Sequence, residues 1–331
     1  MNGVIIVNKP AEFTSFDVIA KLRGILHERK LGHGGTLDPM ATGVLPVFAG
    51  NATKLCDFLS EHEKTYEAEM LLGTATDSED IWGNVTKALD AEDFPEISDE
   101  AVLNALAHFE GGYLQTPPMV SAKKIDGQKL YDLARKGKTV EREPVRVEIP
   151  EIRLLSRDGR KVRFTVTSSK GTYIRTLCKD IGVFLGVPAC MSALKRTKHG
   201  LFSIAEAFTL EEIETLMKRG ETDVFLRPAD AVFSDLPAFS VTEESLRYLL
   251  NGNPLSRDEL QSSVETDDAG KQQKESFTGI ESGTLGGCTG SVSGLTDGPA
   301  RIRVYAPDGA FKAVYEYRPE EGLFKAYKMF L

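Results

Sequence analysis

Residues 32–43, GHGGTLDPMATG, place one carboxylate, that of Asp38, in a loop rich in glycine. Glycine permits backbone angles and close approaches that side chains forbid, while Pro39 fixes its own φ and favours an extended conformation for the residue before it. Such a loop holds Asp38 in a defined position. Because Asp-Pro in a glycine-rich loop is also a common turn element, the loop alone leaves a structural and a chemical role open.

The segments around this loop show strand and helix patterns in irregular order. Short apolar runs and period-two alternation predict strands at 3–10, 44–50, 64–73, 144–155, 160–168 and 189–202. Apolar residues at helical spacing predict helices at 14–28, 51–61, 98–112 and 171–186. Asn51 is the expected cap of the second helix, and the strands at 144–155 and 160–168 are expected to pair through the turn SRDGR. These patterns predict an α+β domain built on a mixed sheet.

The C-terminal third differs in composition from the rest of the chain. The pattern breaks near 219–238, so we place a domain boundary there, with residues 1–235 as a larger domain and 236–331 as a small one. RIRVYAPDGAFKAVYEY (301–317) predicts two strands joined by Pro-Asp-Gly. Residues 261–299 contain 8 Gly, 6 Ser and 5 Thr, and too few apolar residues to offset the entropy of ordering. We predict a flexible insertion there.

Charge is distributed unevenly along the chain. The formal net charge is -9, yet residues 121–200 contain 19 Lys and Arg against 8 Asp and Glu. A basic stretch in an acidic protein is a candidate footprint for a polyanion such as a nucleic acid. A solvated charged surface is the alternative that charge alone leaves open.

The cysteines and the N-terminus predict the class of protein. Four cysteines, Cys56, Cys178, Cys190 and Cys288, lack Cys-x-x-Cys spacing, which disfavours a zinc site and a disulfide framework. No apolar run reaches membrane-spanning length, and MNGVIIVNKP lacks the pattern of a secretory signal. We expect a cytoplasmic protein without membrane contact.

Six motifs carry a resemblance to a known family. They are NKP (8–10), GHGGTLDPMATGVLPV (32–47), KTYEAEMLLGTATDSED (64–80), PPMVSAKKIDGQKLYDLARKG (117–137), SKGTYIRTL (169–177) and LKRTKHGLF (194–202). In this order they resemble the TruB family of tRNA pseudouridine synthases, which isomerise uridine 55 in the T arm. The resemblance covers roughly residues 3–235. It implies a mixed, largely antiparallel sheet of the pseudouridine synthase type, followed by a small β-rich domain like the RNA-binding PUA domain.

The resemblance also implies catalytic residues. Asp38 corresponds to the catalytic carboxylate, which acts on a uridine that has been flipped out of its stack, and Arg175 is the expected bidentate partner of its charge. Tyr66 would stack on the base, and Tyr173 would lie near C5, where a proton must leave. Isomerisation needs no redox step, so we expect neither a cofactor nor a metal. Whether Asp38 attacks C6 of the base, attacks C1′ of the ribose or abstracts a sugar proton stays open.

Further residues are expected to bind the substrate. By resemblance, His33 would contact RNA near the flipped nucleotide, Leu194 would form an apolar wall of the pocket, and Lys9 would support the loop or face phosphate. A basic helix is expected to grip the backbone of the T stem-loop through Lys123, Lys124, Lys129, Arg135 and Lys136.

Three other functions compete with this interpretation. A phosphate-handling enzyme is disfavoured because GHGG lacks the lysine and hydroxyl of a phosphate-binding loop. A non-catalytic RNA-binding or tRNA-folding module would explain the basic stretch without requiring Asp38 and Arg175 together. A guide-RNA-dependent synthase would share the motifs, but no lysine-rich extension is evident. We therefore expect a monomeric, stand-alone enzyme that acts on tRNA without a guide RNA.

Overall fold

The computed structural model describes residues 1–119, 121, 124–125, 128–129, 140–262 and 301–331. It contains two compact units, Met1 with Gly3–Leu226, and Asn2 with Arg227–Leu331. The second unit thus begins before residue 236. Phe233 contacts the rings of Phe311 and Phe330. Apart from residues 261 and 262, the predicted flexible insertion lies outside the described residues.

The chain forms short helices and a larger set of strands. The strands are β1 (Gly3–Lys9), β2 (Leu31–His33), β3 (Thr42–Ala49), β4 (Lys64–Leu72), β5 (Thr74–Thr76), β6 (Val85–Ala88), β7 (Tyr113–Gln115), β8 (Lys124–Ile125), β9 (Gln128–Lys129), β10 (Val145–Val147), β11 (Glu151–Asp158), β12 (Lys161–Ser168), β13 (Ala189–His199), β14 (Phe202–Ser203), β15 (Leu226–Arg227), β16 (Ala238–Val241), β17 (Leu260–Ser262), β18 (Arg301–Tyr305), β19 (Phe311–Arg318) and β20 (Leu323–Met329). The α-helices are α1 (Ser15–Leu26), α2 (Cys56–Ser60), α3 (Asp99–Phe109), α4 (Ile174–Phe184), α5 (Leu210–Arg219), α6 (Thr222–Phe225) and α7 (Leu246–Leu250).

The main sheet has the order β11-β12-β4-β13-β3-β1-β15, with β14 beside β13 and β2 beside β3. The pairs β11–β12, β12–β4, β4–β13 and β3–β1 are antiparallel. The pair β13–β3 is parallel and joins Lys195 to Thr42 and Arg196 to Gly43. The predicted α+β fold with a mixed, largely antiparallel sheet is therefore confirmed.

Burial follows the sequence pattern closely on β4. Its buried residues alternate from Lys64 through Tyr66 to Leu72, because every second side chain of a strand faces the same side. That side joins the apolar faces of α3 and α4 in one hydrophobic cluster. A second cluster joins β1 and β3 to α1 and α5. These two clusters pack helices against the sheet, and the first of them includes Leu37, next to Asp38.

Two local predictions are wrong. The segment after β3 begins as a 3₁₀ helix at Gly50–Leu55, and Asn51 accepts a hydrogen bond from Lys30 Nζ instead of capping a helix. In addition, β10 pairs with β7 and not with β12, so only residues 151–155 of the predicted strand 144–155 lie in the strand that pairs with β12, and that strand continues to Asp158. Both errors arise because the competing partner comes from a distant part of the sequence.

The second unit is built on a separate five-stranded sheet of order β17-β16-β18-β19-β20. The hairpin of β18 and β19 forms as the Pro-Asp-Gly turn predicts. Its hydrophobic core includes Phe239, Tyr315 and Phe324. Throughout the described ranges, no helix is both long and apolar enough to span a bilayer.

Candidate active site

Asp38 lies in the loop between β2 and β3, and the residues on both sides of it are anchored. The buried Leu37 donates its N–H to Ser15 Oγ at 2.9 Å, and this hydroxyl donates back to the Leu37 carbonyl at 3.3 Å. The Pro39 carbonyl accepts a hydrogen bond of 2.9 Å from Lys9 Nζ. The Asp38 side chain itself is 44% exposed. The loop therefore presents an accessible carboxylate on a fixed backbone.

Lys9 stabilises this loop through hydrogen bonds to main-chain carbonyls. Its side chain is buried at the end of β1, and Nζ donates to the carbonyls of Pro10, Phe13 and Pro39 at 2.6 to 2.9 Å. Burial lowers the pKa of Lys9 to about 8, although the nearby Asp38 carboxylate raises it. Because the ammonium group is directed at main-chain carbonyls, its geometry favours the supporting role over contact with phosphate.

Arg196 of β13 binds other carbonyls of the same loop. Its side chain is 1% exposed, and its guanidinium donates to the carbonyls of Val44 at 2.7 Å, Gly35 at 3.2 Å and Thr36 at 3.4 Å. The Tyr66 hydroxyl forms a further hydrogen bond with it. Burial lowers the pKa of Arg196, but a guanidinium remains charged in proteins. Arg196 therefore fixes the loop and the ring of Tyr66 relative to each other.

Gly43 allows β3 to approach β13 at the end of this loop. It has φ +99°, and a Cβ atom placed on it would lie 2.2 Å from the Arg196 carbonyl oxygen. A side chain at this position would both strain the backbone and push the two strands apart. Their parallel pairing therefore depends on glycine at residue 43.

Replacing Gly43 with alanine should destabilise the protein strongly. Strain and overpacking together should remove roughly 2–5 kcal/mol of stability. For a unit of this size we expect the melting temperature to fall by about 5–15 °C. Gly24→Ala is the matched control, because Gly24 lies within α1 with no neighbouring atom within 4 Å, and alanine is the better helix former. Thermal unfolding of the two variants checks this, and equal melting temperatures would contradict it.

Arg175 meets Asp38 although the two residues are far apart in sequence. Its Nε lies 2.9 Å from Asp38 Oδ2, and the arginine side chain is 6% exposed. Nη1 donates to the Ser78 carbonyl at 3.0 Å and lies 3.7 Å from Asp80 Oδ2. Arg175 thus contacts Asp38 through Nε, while its Nη1 faces Asp80. The Arg175 guanidinium therefore orients the exposed Asp38 carboxylate and is itself held by the Asp80 carboxylate.

Tyr173 is positioned by its backbone. It precedes the first residue of α4, and the buried Gln115 side chain binds both of its peptide groups: Oε1 accepts from Tyr173 N–H at 2.8 Å, and Nε2 donates to the Tyr173 carbonyl at 3.0 Å. The same Nε2 donates to the Tyr113 hydroxyl, which donates to Asp180. This chain of hydrogen bonds fixes the start of the helix that carries Arg175.

Tyr66 and Leu194 lie in the apolar part of the site. Tyr66 is 8% exposed, and it shares a hydrophobic cluster with Leu37, next to Asp38. Leu194 is half-buried, packs against the same cluster and pairs with Ala68 on β4. The structure therefore brings Asp38, Arg175, Tyr66 and Leu194 into one region of the first unit.

The remaining predicted binding residues are less well defined. His33 lies at the end of β2, half-buried, and its Nδ1 atom has no hydrogen-bond partner among the described residues. Burial and the charge of Arg196 lower the pKa of His33, which favours a neutral imidazole. Lys124 and Lys129 pair with each other in a short hairpin, so they do not lie on the predicted helix, and their side chains are outside the description. Lys123, Arg135 and Lys136 lie outside the described residues.

Three residues of the site were not predicted from the sequence. Asp80, Gln115 and Arg196 each lie in or beside a motif that drew attention for another residue. Their partners are distant along the chain, as Arg175 is from Asp80 and Tyr173 from Gln115. Their place in or beside a motif was the available signal, but a motif does not identify the partner of a side chain.

Other features of the first unit do not extend this site. A cavity of about 970 Å³ lies beside Thr65, whose side chain leaves β4 on the face opposite Tyr66. Its lining includes four glutamates, Glu61, Glu63, Glu110 and Glu151, against the two cations Arg153 and Lys198, so its net negative charge disfavours phosphate. In the part of the chain that the structure describes, no three His, Cys, Asp or Glu side chains converge as metal ligands do.

Comparison with known families gives two adjoining matches. A model described as TruB family pseudouridylate synthase (N terminal domain) matches residues 23–174. A model described as tRNA pseudouridylate synthase B C-terminal domain matches residues 175–234. The two matches together include Asp38, Tyr66, Tyr173 and Arg175.

Two curated relatives match over the full length of the chain, and a third matches over most of it. A tRNA pseudouridine synthase B of Lachnoclostridium phytofermentans is 40% identical over 339 residues and covers 100% of both chains. One from Lactiplantibacillus plantarum is 37% identical over 338 residues, covering 100% of this chain and 99% of the relative. One from Clostridium tetani is 43% identical over 281 residues, covering 85% of this chain and 95% of the relative.

Solved structures match the fold. An H/ACA RNP bound to a substrate RNA containing 2′-deoxyuridine includes a chain that is 22% identical, with a TM-score of 0.67, covering 99% of this chain and 85% of that chain. A Cbf5-Nop10-Gar1 complex includes a chain that is 23% identical with the same TM-score and coverage. At this identity the likeness concerns the fold alone.

Proposed function

This chain belongs to the TruB family of pseudouridine synthases, and from that premise we propose that it isomerises uridine 55 in the T arm of tRNA without a guide RNA. The observation that carries the proposal is the ion pair of 2.9 Å between Arg175 Nε and the exposed Asp38 carboxylate, whose neighbour Leu37 shares a hydrophobic cluster with Tyr66. The full-length relatives at about 40% identity support tRNA as the substrate.

The reaction rearranges one nucleoside. The N1–C1′ bond of uridine breaks, a C5–C1′ bond forms, C5 loses its proton and N1 gains one. A base inside a helix is covered on both faces, so the enzyme flips the uridine out of its stack and receives it between apolar and aromatic side chains. Tyr66 and Leu194 supply such a surface, and Tyr173 is the residue we place near C5.

Asp38 supplies the charge that acts on the extruded nucleoside. A carboxylate serves either as a nucleophile or as a group that stabilises positive charge on the ribose. Arg175 keeps the carboxylate oriented, because its guanidinium is fixed by Ser78 and Asp80. All the bonds that break and form lie within the nucleoside, and none of these steps changes its overall oxidation state. The proposed reaction therefore needs no electron carrier.

A pure RNA-binding function would leave this arrangement without a purpose. Binding to the RNA backbone rests on exposed Lys and Arg side chains. It does not require a partly exposed aspartate, Asp38, to pair with a buried arginine, Arg175, that also faces Asp80. The geometry therefore favours the enzyme.

Release of tritium tests the proposal directly. An unmodified tRNA transcript labelled with tritium at C5 of uridine is incubated with the purified protein and no other RNA. We expect one equivalent of tritium per tRNA to enter the solvent, because only the reacting C5 loses its proton. A transcript with cytidine at position 55 is the control and should release none. Binding without release would support the RNA-binding module, and release only after addition of a guide RNA would support a guided synthase.

Substitutions of Tyr66 separate its ring from its hydroxyl. Tyr66→Phe keeps the aromatic face and removes the hydrogen bond to Arg196, so turnover should stay within about tenfold of the original while the melting temperature falls modestly. Tyr66→Leu removes the face, and single-turnover rates should fall by roughly 100-fold or more because stacking on the base is lost. Equal losses in both variants would point to the hydroxyl instead.

A further inference from the structure

The hairpin of β5 and β6 reaches the active site with its tip, residues 77–84. The Ser78 carbonyl accepts a hydrogen bond of 3.0 Å from Arg175, and the Asp80 carboxylate lies 3.7 Å from the same guanidinium. Arg175 in turn contacts Asp38 at 2.9 Å. Residues that follow Asp80 therefore lie close to where the reacting nucleoside must bind.

This tip is held in one conformation by hydrogen bonds. Ile81 N–H donates to the Met191 carbonyl of β13 at 2.8 Å. Asn84 donates from its backbone and from its amide to the Asp77 carboxylate, both at 2.9 Å. Gly83 lies so close to the opposite side of the turn that a Cβ atom on it would be 2.1 Å from a side-chain oxygen. The side chains of the tip are therefore presented on a rigid turn.

Two of the three acidic side chains of the tip, those of Glu79 and Asp80, face inward, whereas the exposed Asp77 carboxylate accepts hydrogen bonds from Asn84. Glu79 forms an ion pair of 2.6 Å with Lys179 on α4, and Asp80 faces the guanidinium described above. The next two residues, Ile81 and Trp82, are 40% and 47% exposed. Two adjacent large apolar side chains, in a turn whose Asp80 faces the arginine that pairs with Asp38, form a surface that suits the face of a nucleobase and not a phosphate.

We infer that Trp82 is a substrate contact that stacks on a nucleobase of the bound RNA next to the flipped uridine, with Ile81 extending the same surface. The inference rests on the proposed function, since it takes the substrate to be RNA. An indole ring offers a large π-face that binds unstacked bases with little dependence on sequence. Because the turn is already ordered, this surface is formed before the RNA arrives.

Trp82 is the only tryptophan in the sequence, so its fluorescence reports on this contact. We would titrate the Asp38→Asn protein, which should bind without turnover, with an unmodified T-arm RNA hairpin. Saturable quenching of the tryptophan emission is expected, with a midpoint equal to the dissociation constant from filter binding. A Trp82→Phe, Leu103→Trp protein is the control, because Leu103 lies exposed on α3, and its emission should change much less.

Substitutions of Trp82 test the energetic part of the inference. Trp82→Ala should weaken binding of the hairpin by about 5- to 100-fold, and Trp82→Phe should stay within about threefold of the original. Leu103→Ala removes an equally exposed apolar side chain elsewhere and should leave binding unchanged. The melting temperature of each variant should match that of the original protein, because the side chain at 82 is exposed.

The outcomes distinguish this inference from the function on which it rests. Unchanged emission and undiminished affinity of Trp82→Ala, with tritium release intact, would overturn the role of Trp82 and leave the proposed function standing. Failure of the original protein both to bind the hairpin and to release tritium would overturn the two together. Quenching together with weaker binding of Trp82→Ala would support both.

Discussion

Asp38→Asn should abolish isomerisation while leaving RNA binding intact. Asparagine keeps the size and shape of aspartate, but it has no charge to act on the nucleoside and cannot form an ion pair with Arg175. We expect the single-turnover rate of tritium release to fall by roughly 10⁴-fold or more, as for other enzymes that lose a side chain acting directly on the reacting atoms. The dissociation constant for tRNA should change by less than about threefold, because the RNA backbone is bound by other residues.

Asp57→Asn is the matched control for this substitution. Asp57 is an exposed aspartate in the first turn of α2, and the change removes the same charge from the protein. Its rate and affinity should equal those of the original protein. A rate within tenfold of the original for Asp38→Asn would remove Asp38 from the chemistry, and a large loss of affinity would give it a binding role instead.

Arg175→Lys should lower the rate by about 100- to 1,000-fold with little change in affinity for tRNA. The guanidinium contacts Asp38 through Nε and faces Ser78 and Asp80 through Nη1. An ammonium group is a point charge with a different reach, so it cannot keep both contacts in this geometry. Asp38 would then lose its fixed orientation, and misplacement of a reacting group by about 1 Å costs about 100-fold in rate.

Arg175→Lys should therefore change the single-turnover rate and leave the dissociation constant for tRNA nearly unchanged. Arg163→Lys provides the control, because Arg163 on β12 is also an arginine that faces a carboxylate. Its Nη2 lies 3.8 Å from Glu67 Oε2, and its side chain is exposed. Its single-turnover rate should match the original. Because Arg175 is buried, the melting temperature of Arg175→Lys must be shown to lie above the assay temperature. A folded variant with near-normal turnover would contradict the account.

The sequence was sufficient to predict the longer strands of the first unit, β1, β3, β4, β11, β12 and β13, and its helices α1, α3 and α4. Period-two alternation predicted β4, and the capping pair of Thr14 and Asp17 begins α1 within the predicted range. Predictions failed where a distant segment decides the outcome. Pairing of β10 with β7 and the hydrogen bond from Lys30 to Asn51 depend on the complete fold.

The site was predictable to a similar extent. The motifs identified Asp38 and Arg175, because each lies in a distinctive run of sequence. The groups that position them were not identified: Arg196 and Gln115 act through main-chain carbonyls and amides, which the sequence does not specify. Buried polar groups of this kind become meaningful only when their hydrogen-bond partners are known.

Mapping pseudouridine along an unmodified tRNA transcript tests the central claim most directly. The transcript is treated with the original protein or with Asp38→Asn, in the absence of any other RNA. The account predicts a single new pseudouridine, at position 55, with the original protein and none with the variant. Pseudouridine at another position, no pseudouridine at all, or an unchanged yield with Asp38→Asn would contradict it.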